Sequence, residues 1–416
     1  MNATQITYLF VIVVLTNSII EFWLDFKNRK NIITNKNQVP EKFQDKITLE
    51  EHQKAADYTV AKINTSLIFK LVSLMIFFFW TLGGGLNIID NFVRSFALSD
   101  LSTGLLFFAV FGVISLLLNL PQSLYSTFVI EERFGFNKMT PALFIKDMLK
   151  GLLLGIIIGA PLLAGLLWIM NALGTYWWIY AWLLLTGFQL TMLWVYPTVI
   201  APLFNKFSPM EEGEVKEKVL ALLDRTGFSS NGLFVMNASI RSSHGNAYFT
   251  GFGKNKRIVF FDTLIKTLEA DEVEAVLAHE LGHYKKKHVF KMIIKSFIFS
   301  FIGLGILGFL YKFQPFYNGH GVENISTYMA LILFSMVSGQ YTFLMTPISS
   351  YLSRKHEFEA DEFAAKYAKA SKLISALVKL YKDNANTLTP DETYSAFYHS
   401  HPPALTRVSF LEKFES

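Results

Sequence analysis

Cysteine is absent from all 416 residues. That excludes disulfides, thiolate nucleophiles and sulfur-ligated metal, so any bound metal has to be held by His, Asp or Glu. Charge is scarce as well: Asp, Glu, Lys and Arg make up 17% of the chain, against about a quarter in soluble domains. The scarcity is uneven. Residues 151–205 hold no charged side chain, and one bilayer crossing needs roughly 20 apolar residues. That stretch accommodates two crossings, with Asn171-Ala172-Leu173-Gly174 as the turn between them. Hydrophobic residues reach 52% and aromatics 15%, the composition of a multi-pass membrane protein. The N-terminal MNATQITYLFVIVVLTNSIIEFW lacks a basic n-region and a small-residue cleavage site, and reads as a retained first span. No nucleic-acid motif accompanies the net charge of +5. The excess reads as Lys and Arg held on the cytoplasmic side, and nucleic acid is not expected as a partner.

Seven spans are predicted, near 5–24, 68–89, 101–125, 151–170, 176–200, 292–311 and 325–350. The first contains Glu21, and the sixth is a short charge-free core between Lys295 and Lys312. Basic residues alternate between connections. The 26–65 loop carries Lys27, Arg29, Lys30, Lys36, Lys42, Lys46, Lys54 and Lys62, and the 126–150 loop carries Arg133, Lys138, Lys146 and Lys150. The intervening connections carry Arg94, nothing, and Lys312. This pattern predicts the N-terminus outside, with the C-terminus and both long polar segments, 201–290 and 351–416, in the cytoplasm.

The 201–290 segment reads as folded. MEEGEVKEKVLALLDRTGF places Val215, Val219, Leu222 and Leu223 at helical spacing and closes at Gly227. NAYFT and RIVFF, both β-prone, flank GFGKNK and predict a hairpin with Gly251-Phe252-Gly253 in its turn. LEADEVEAVLAHELGHY follows as a helix, with Asp271 as N-cap and Glu274 three residues on. His279 and His283 stand at i and i+4 of that helix and share a face. Glu280 is one step round, placed to reach a water without ligating metal. This is the geometry of zinc hydrolysis: zinc lowers the water's pKa toward 7 and the glutamate takes its proton during attack on a carbonyl. Gly282 weakens the helix by about 1 kcal/mol relative to Ala, which a close-packing requirement would explain.

A catalytic zinc needs a third protein ligand. In SRKHEFEADEFAAKYAKA, Glu357 and Asp361 are i, i+4 on a helix that follows the seventh span. Glu357 completes a His-His-Glu set with the fourth position left for water, and Asp361 can accept the Nδ1–H of a ligating histidine. Glu359 points away. His288 falls roughly 140° off the ligand face if the helix continues at about 100° per residue, and is not taken as a ligand. Lys285, Lys286 and Lys287 read as a membrane anchor, His52 and His320 as surface residues, and His356 as facing away from Glu357.

HELGHYKKKH, SRKHEFEADEFAAK and HSHPPALTR, with NAYFTGFG upstream and FVIEERFGFNKMTP and YPTVIAPLFNKF among the spans, resemble the type I CAAX prenyl endopeptidase family. These are membrane zinc metalloproteases of a-factor and prelamin A processing. The resemblance runs nearly the whole chain in the same order. It implies a mainly α fold: a seven-span transmembrane helical barrel enclosing a chamber, with a cytoplasmic-side α+β zincin-type catalytic domain. It implies one Zn2+ per chain on His279, His283 and Glu357, with Glu280 as general base and Asp361 as a further site residue beside a ligating histidine. It further implies that Asn246 and Ala247 lie on a strand edge that pairs with an extended substrate, and that His401 and Arg407 lie near the scissile carbonyl.

The expected organisation is a five-span membrane region (1–200), a catalytic segment with hairpin and HExxH helix (201–290), two further spans (291–350) and a second catalytic segment (351–416). The expected partners are a peptide or prenylated peptide and the lipid bilayer. The C-terminal LEKFES is not a KDEL-type signal, which favours a bacterial inner membrane or plasma membrane. A quality-control protease of the HtpX type, which cleaves misfolded membrane proteins, is a competing reading, though such enzymes lack the long N-terminal membrane half. A non-enzymatic seven-helix receptor or transport scaffold is another; it predicts no bound metal.

Overall fold

The structure, a computed structural model, describes residues 1–250 and 256–415. Among these residues, seven helical segments are long and apolar enough to span a bilayer: α1 (Ala3–Asn35), α2 (Leu49–Trp80), α3 (Asp100–Glu131), α4 (Pro141–Ala172), α5 (Gly174–Phe204), and, after a polar segment that holds α6 (Glu214–Arg225) and α7 (Ala270–Lys285), α8 (His288–Leu310) and the segment Thr327–Tyr367. The last divides into α9 (Thr327–Thr342) and α10 (Thr346–Tyr367). All seven coincide with the predicted spans, including the one that carries Glu21. Their ends differ. The 32 residues of α2 rise about 48 Å at about 1.5 Å each, well beyond a hydrocarbon core of about 30 Å. Much of the 26–65 loop is therefore helix. Its Lys, Glu, Gln and Ala residues are good helix formers, and Thr48 opens α2 in a capping box with Glu51. Proximally, α4 ends at Ala172 and Gly174 turns the chain at φ +62°, as the sequence predicted.

Besides a smaller contact of Ile32, Ala56 and Ile63 between α1 and α2, the spans pack most extensively at one end. Phe10, Trp80, Phe107, Leu167, Trp177, Tyr317 and Tyr328 form a buried cluster there. In α3 the buried positions up to Tyr125 are Thr103, Gly104 and Phe107, all in its first turns. Most of 117–126 is exposed around the whole helix, and nothing in Pro141–Leu154 is buried. A solid bundle would bury one face of every helix along its length. These helices instead surround an open interior, where Ser18, Glu21, Ser66, Lys70, Gln122 and Gln340 line a cavity of about 410 Å³.

At the other end sits a small α+β unit. Strands β1 (Phe207–Pro209), β2 (Leu233–Met236), β3 (Ala247–Thr250) and β4 (Arg257–Phe261) form one sheet in the order β1-β2-β4-β3. The expected hairpin is present, with Ala247 opposite Phe260; its predicted turn at 251–255 lies outside the described residues. Strands β1 and β2, which extend the sheet from β4, were not foreseen. Helices α6 (Glu214–Arg225), α7 (Ala270–Lys285), α11 (Ala370–Asp383), α12 (Glu392–Tyr398) and α13 (Ala404–Leu411) complete the unit. Phe260, Leu277, Leu281, Leu377 and Val408 share its core with Phe43 and Ile47 from the α1–α2 connection. The basic loop therefore packs on the same side of the membrane as the polar segments.

Candidate active site

Helix α7 starts two residues earlier than Asp271 suggested. Glu269 is the cap, its N–H donating to the Glu272 carboxylate at 2.8 Å. Glu272, 1% exposed, is the better-protected acid and also meets Lys379 and Ser375 at 2.7 Å each. Asp271 turns outward to pair with Lys218.

α7 carries His279 and His283, and α10 crosses it bearing Glu357. One donor atom from each of the three lies within 4.8 Å of the others. His283 Nε2 is 3.1 Å from His279 Nε2 and 3.2 Å from Glu357 Oε1, and His279 Nε2 is 3.4 Å from Glu357 Oε2. Glu357 is buried, and its Oε2 receives no well-directed hydrogen bond. A buried carboxylate oxygen left short of donors, converging with two imidazole nitrogens, fits a divalent metal.

Asp361, fully buried, faces Nδ1 of His279 at 2.8 Å. Arg407 from α13 forks onto it, Nε to Oδ2 at 2.8 Å and Nη2 to Oδ1 at 2.7 Å. Burial and the Arg407 charge push the His279 imidazole down, but the hydrogen bonds to Asp361 and Glu357 outweigh them and raise it to about 9. Burial also opposes the Arg407 charge, which Asp361 more than restores. Removing Arg407 leaves Asp361 as an uncompensated buried charge, so Arg407→Leu is expected to cost about 3–5 kcal/mol of stability, measurable by denaturant titration.

Glu280 is half-buried and has no hydrogen-bond or ion-pair partner among the described residues. Its carboxylate is unengaged by these residues. Asn246 is exposed at the start of β3, an edge strand lying against α7, and its Oδ1 accepts the Ala247 N–H at 2.8 Å. His401 is 67% exposed with Nδ1 2.8 Å from Glu357 Oε2. His279, His283, Glu357, Asp361, Arg407 and His401 thus form one cluster, while Asn246 and Ala247 stand on a strand that packs against α7.

It also corrects several readings. Helix α7 does not run on to His288: Lys287 adopts φ +59° and α8 begins at a new angle. His288 comes back beside His283, Nδ1 to Nδ1 at 3.0 Å. Glu359, outside the donor cluster, meets His288 Nε2 at 2.9 Å, and His356 stacks on His288 at 4.1 Å. His52 and His320 are buried, not on the surface; each finds a backbone carbonyl, Asn35 and Phe316 respectively. Arg354, unnoticed in the sequence, holds the His401 turn by donating to the carbonyls of Ser395 and His399. Its place three residues before Glu357 on the same helix was the available signal.

Residues 28–206 match the family described as CAAX prenyl protease N-terminal, five membrane helices, and residues 209–415 match Peptidase family M48. A CAAX prenyl protease 1 of Saccharomyces cerevisiae is 34% identical over 94% of this chain and 92% of its own. The chain belongs to peptidase family M48. A rice CAAX prenyl protease 1 homolog is 42% identical over 75% of this chain and 74% of its own. A crystal structure of S. mikatae Ste24p superposes with a TM-score of 0.92 at 32% identity, covering 99% of both chains. The fold is therefore the seven-span helical architecture with an α+β catalytic unit, and the protein is a membrane metallopeptidase acting on peptide bonds. M48 membership implies a metal, which the donor set above fits.

Proposed function

We propose that this M48 peptidase is a CAAX prenyl protease that binds one Zn2+ through His279, His283 and Glu357 and cleaves prenylated C-terminal peptides. The carrying observation is the convergence of those three donors on two crossing helices, one of which packs against an edge strand. The relatives named CAAX prenyl protease support the substrate class. The match of 28–206 to the five-helix N-terminal family weighs against the HtpX-type reading. Zinc, when bound, supplies Lewis acidity that lowers the pKa of water and polarises a carbonyl.

The chain supplies the rest. A peptide adds to β3 as a further strand, its main chain held by the free edge and by Asn246 and Ala247. Glu280 takes the proton from the attacking water and returns it to the leaving amine. His401 and Arg407 stand beside Glu357, where His401 is exposed enough to meet the developing oxyanion. Asp361 acts through His279, fixing the ring so that Nε2 faces the metal position. The proposed division is a membrane region at 1–200 and 291–350, with catalytic segments 201–290 and 351–416 facing the cytoplasm and the N-terminus outside. The alternating basic loops support this orientation. The named relatives are eukaryotic and lend a bacterial membrane no support.

The test is hydrolysis of a farnesylated CAAX peptide beside its unprenylated twin by purified protein. Preferential cleavage of the lipidated peptide is expected; equal rates would reduce the reading to a broad membrane endopeptidase.

A further inference from the structure

From the arrangement around His288 we infer that His288 and Glu359 position the metal ligand His283 through a relay of two hydrogen bonds, Glu359–His288–His283. The inference deepens the zinc reading and rests on it. His288 is 1% exposed, placed by the left-handed Lys287 between α7 and α8, and pinned by the stacked ring of His356 at 4.1 Å and 12°. Its two nitrogens are both engaged: Nε2 with Glu359 Oε2 at 2.9 Å and Nδ1 with His283 Nδ1 at 3.0 Å.

The proton count follows from the partners. An ionised carboxylate only accepts, so Nε2 of His288 carries its hydrogen and donates to Glu359. A neutral imidazole holds one N–H, which leaves Nδ1 of His288 as a lone pair. Two facing ring nitrogens need one hydrogen between them, so His283 donates through Nδ1. Its Nε2 is then the bare lone pair, directed at Glu357 and His279, where a metal would be held. Glu359 thereby fixes the His283 tautomer from two rings away. His279 receives the same service from Asp361 directly, at 2.8 Å. The two ligands have different supports, one a buried carboxylate and the other an imidazole backed by a carboxylate that is 29% exposed.

Full-length protein in detergent, stripped and titrated with Zn2+ against a chelator of known affinity, tests the relay. Loss of a partner that orients a ligand typically costs 10- to 100-fold in metal affinity, and His288→Ala is expected to fall in that range. His288→Asn places an amide oxygen near the Nδ1 position and should recover most of the loss. Glu359→Ala weakens binding alone but adds little in the His288→Ala background, since both act through one chain. Melting of the metal-free variants separates unfolding from weakened affinity, and if His288→Ala does not fold, Glu359→Ala must still show the loss. Wild-type affinity in His288→Ala or in Glu359→Ala, no recovery in His288→Asn, or additive losses would overturn the relay with the zinc site intact. A wild-type protein that takes up no Zn2+ would overturn the metal reading and the relay with it.

Discussion

Glu280→Gln is expected to retain its metal and lose between two and four orders of magnitude in turnover, the usual contribution of a positioned general base. Glu280 sits between the two histidines in sequence and about 100° round the helix from His279, so it can reach the water without competing for the metal. Among the described residues nothing else claims its carboxylate, and a glutamine of equal shape disturbs no contact. Neither ligand histidine is touched, so zinc content by elemental analysis should stay at the wild-type value while kcat collapses. Undiminished kcat would remove Glu280 from the mechanism; lost zinc would make it a structural support of the site.

Gly282→Ala carries the second large effect, and its sign discriminates. By helix propensity alone alanine stabilises a helix interior by about 1 kcal/mol over glycine. Here the added methyl would stand 2.8 Å from Ala360 Cα, 3.0 Å from the Ala360 carbonyl oxygen and 3.1 Å from Phe363 Cβ. Two of these are backbone, which cannot rotate aside, so α7 and α10 must separate. Overpacking of this kind costs about 1–3 kcal/mol and wins over propensity. The same two helices carry all three donors, and a displacement of about 1 Å at a reacting centre can cost about 100-fold in rate. The expected result is a lower melting temperature, weaker zinc binding and at least that loss of activity. A more stable, fully active variant would show that the helices are not held apart by this contact.

The residues that periodicity could rank were legible in the sequence. HExxH declared its face because i and i+4 coincide on any helix, and the spans declared themselves by missing charge. Glu357 and Asp361 followed because the same spacing recurs on the helix that follows the seventh span. What failed was whatever depended on where a helix stops. His288 was judged on a continuous helix, and one left-handed lysine moved it from the far side of the ring to within 3.0 Å of His283. The partner of Glu359 was hidden by the same logic, since it belongs to another helix. Strands β1 and β2, three and four residues long, are too short to show alternation. His52 and His320 looked solvated because a lone histidine gives no sign of the backbone carbonyl that waits for it.

The cluster of Phe10, Phe107, Trp177 and Tyr317 at the far end of the spans has a meaning apart from catalysis. A ring of helices around an open, partly polar interior would conduct ions if both ends were open, and a membrane cannot hold its gradient across such a leak. Packed aromatic rings provide a dry electrical seal. An interior closed at that end can hold water without joining the two sides of the membrane.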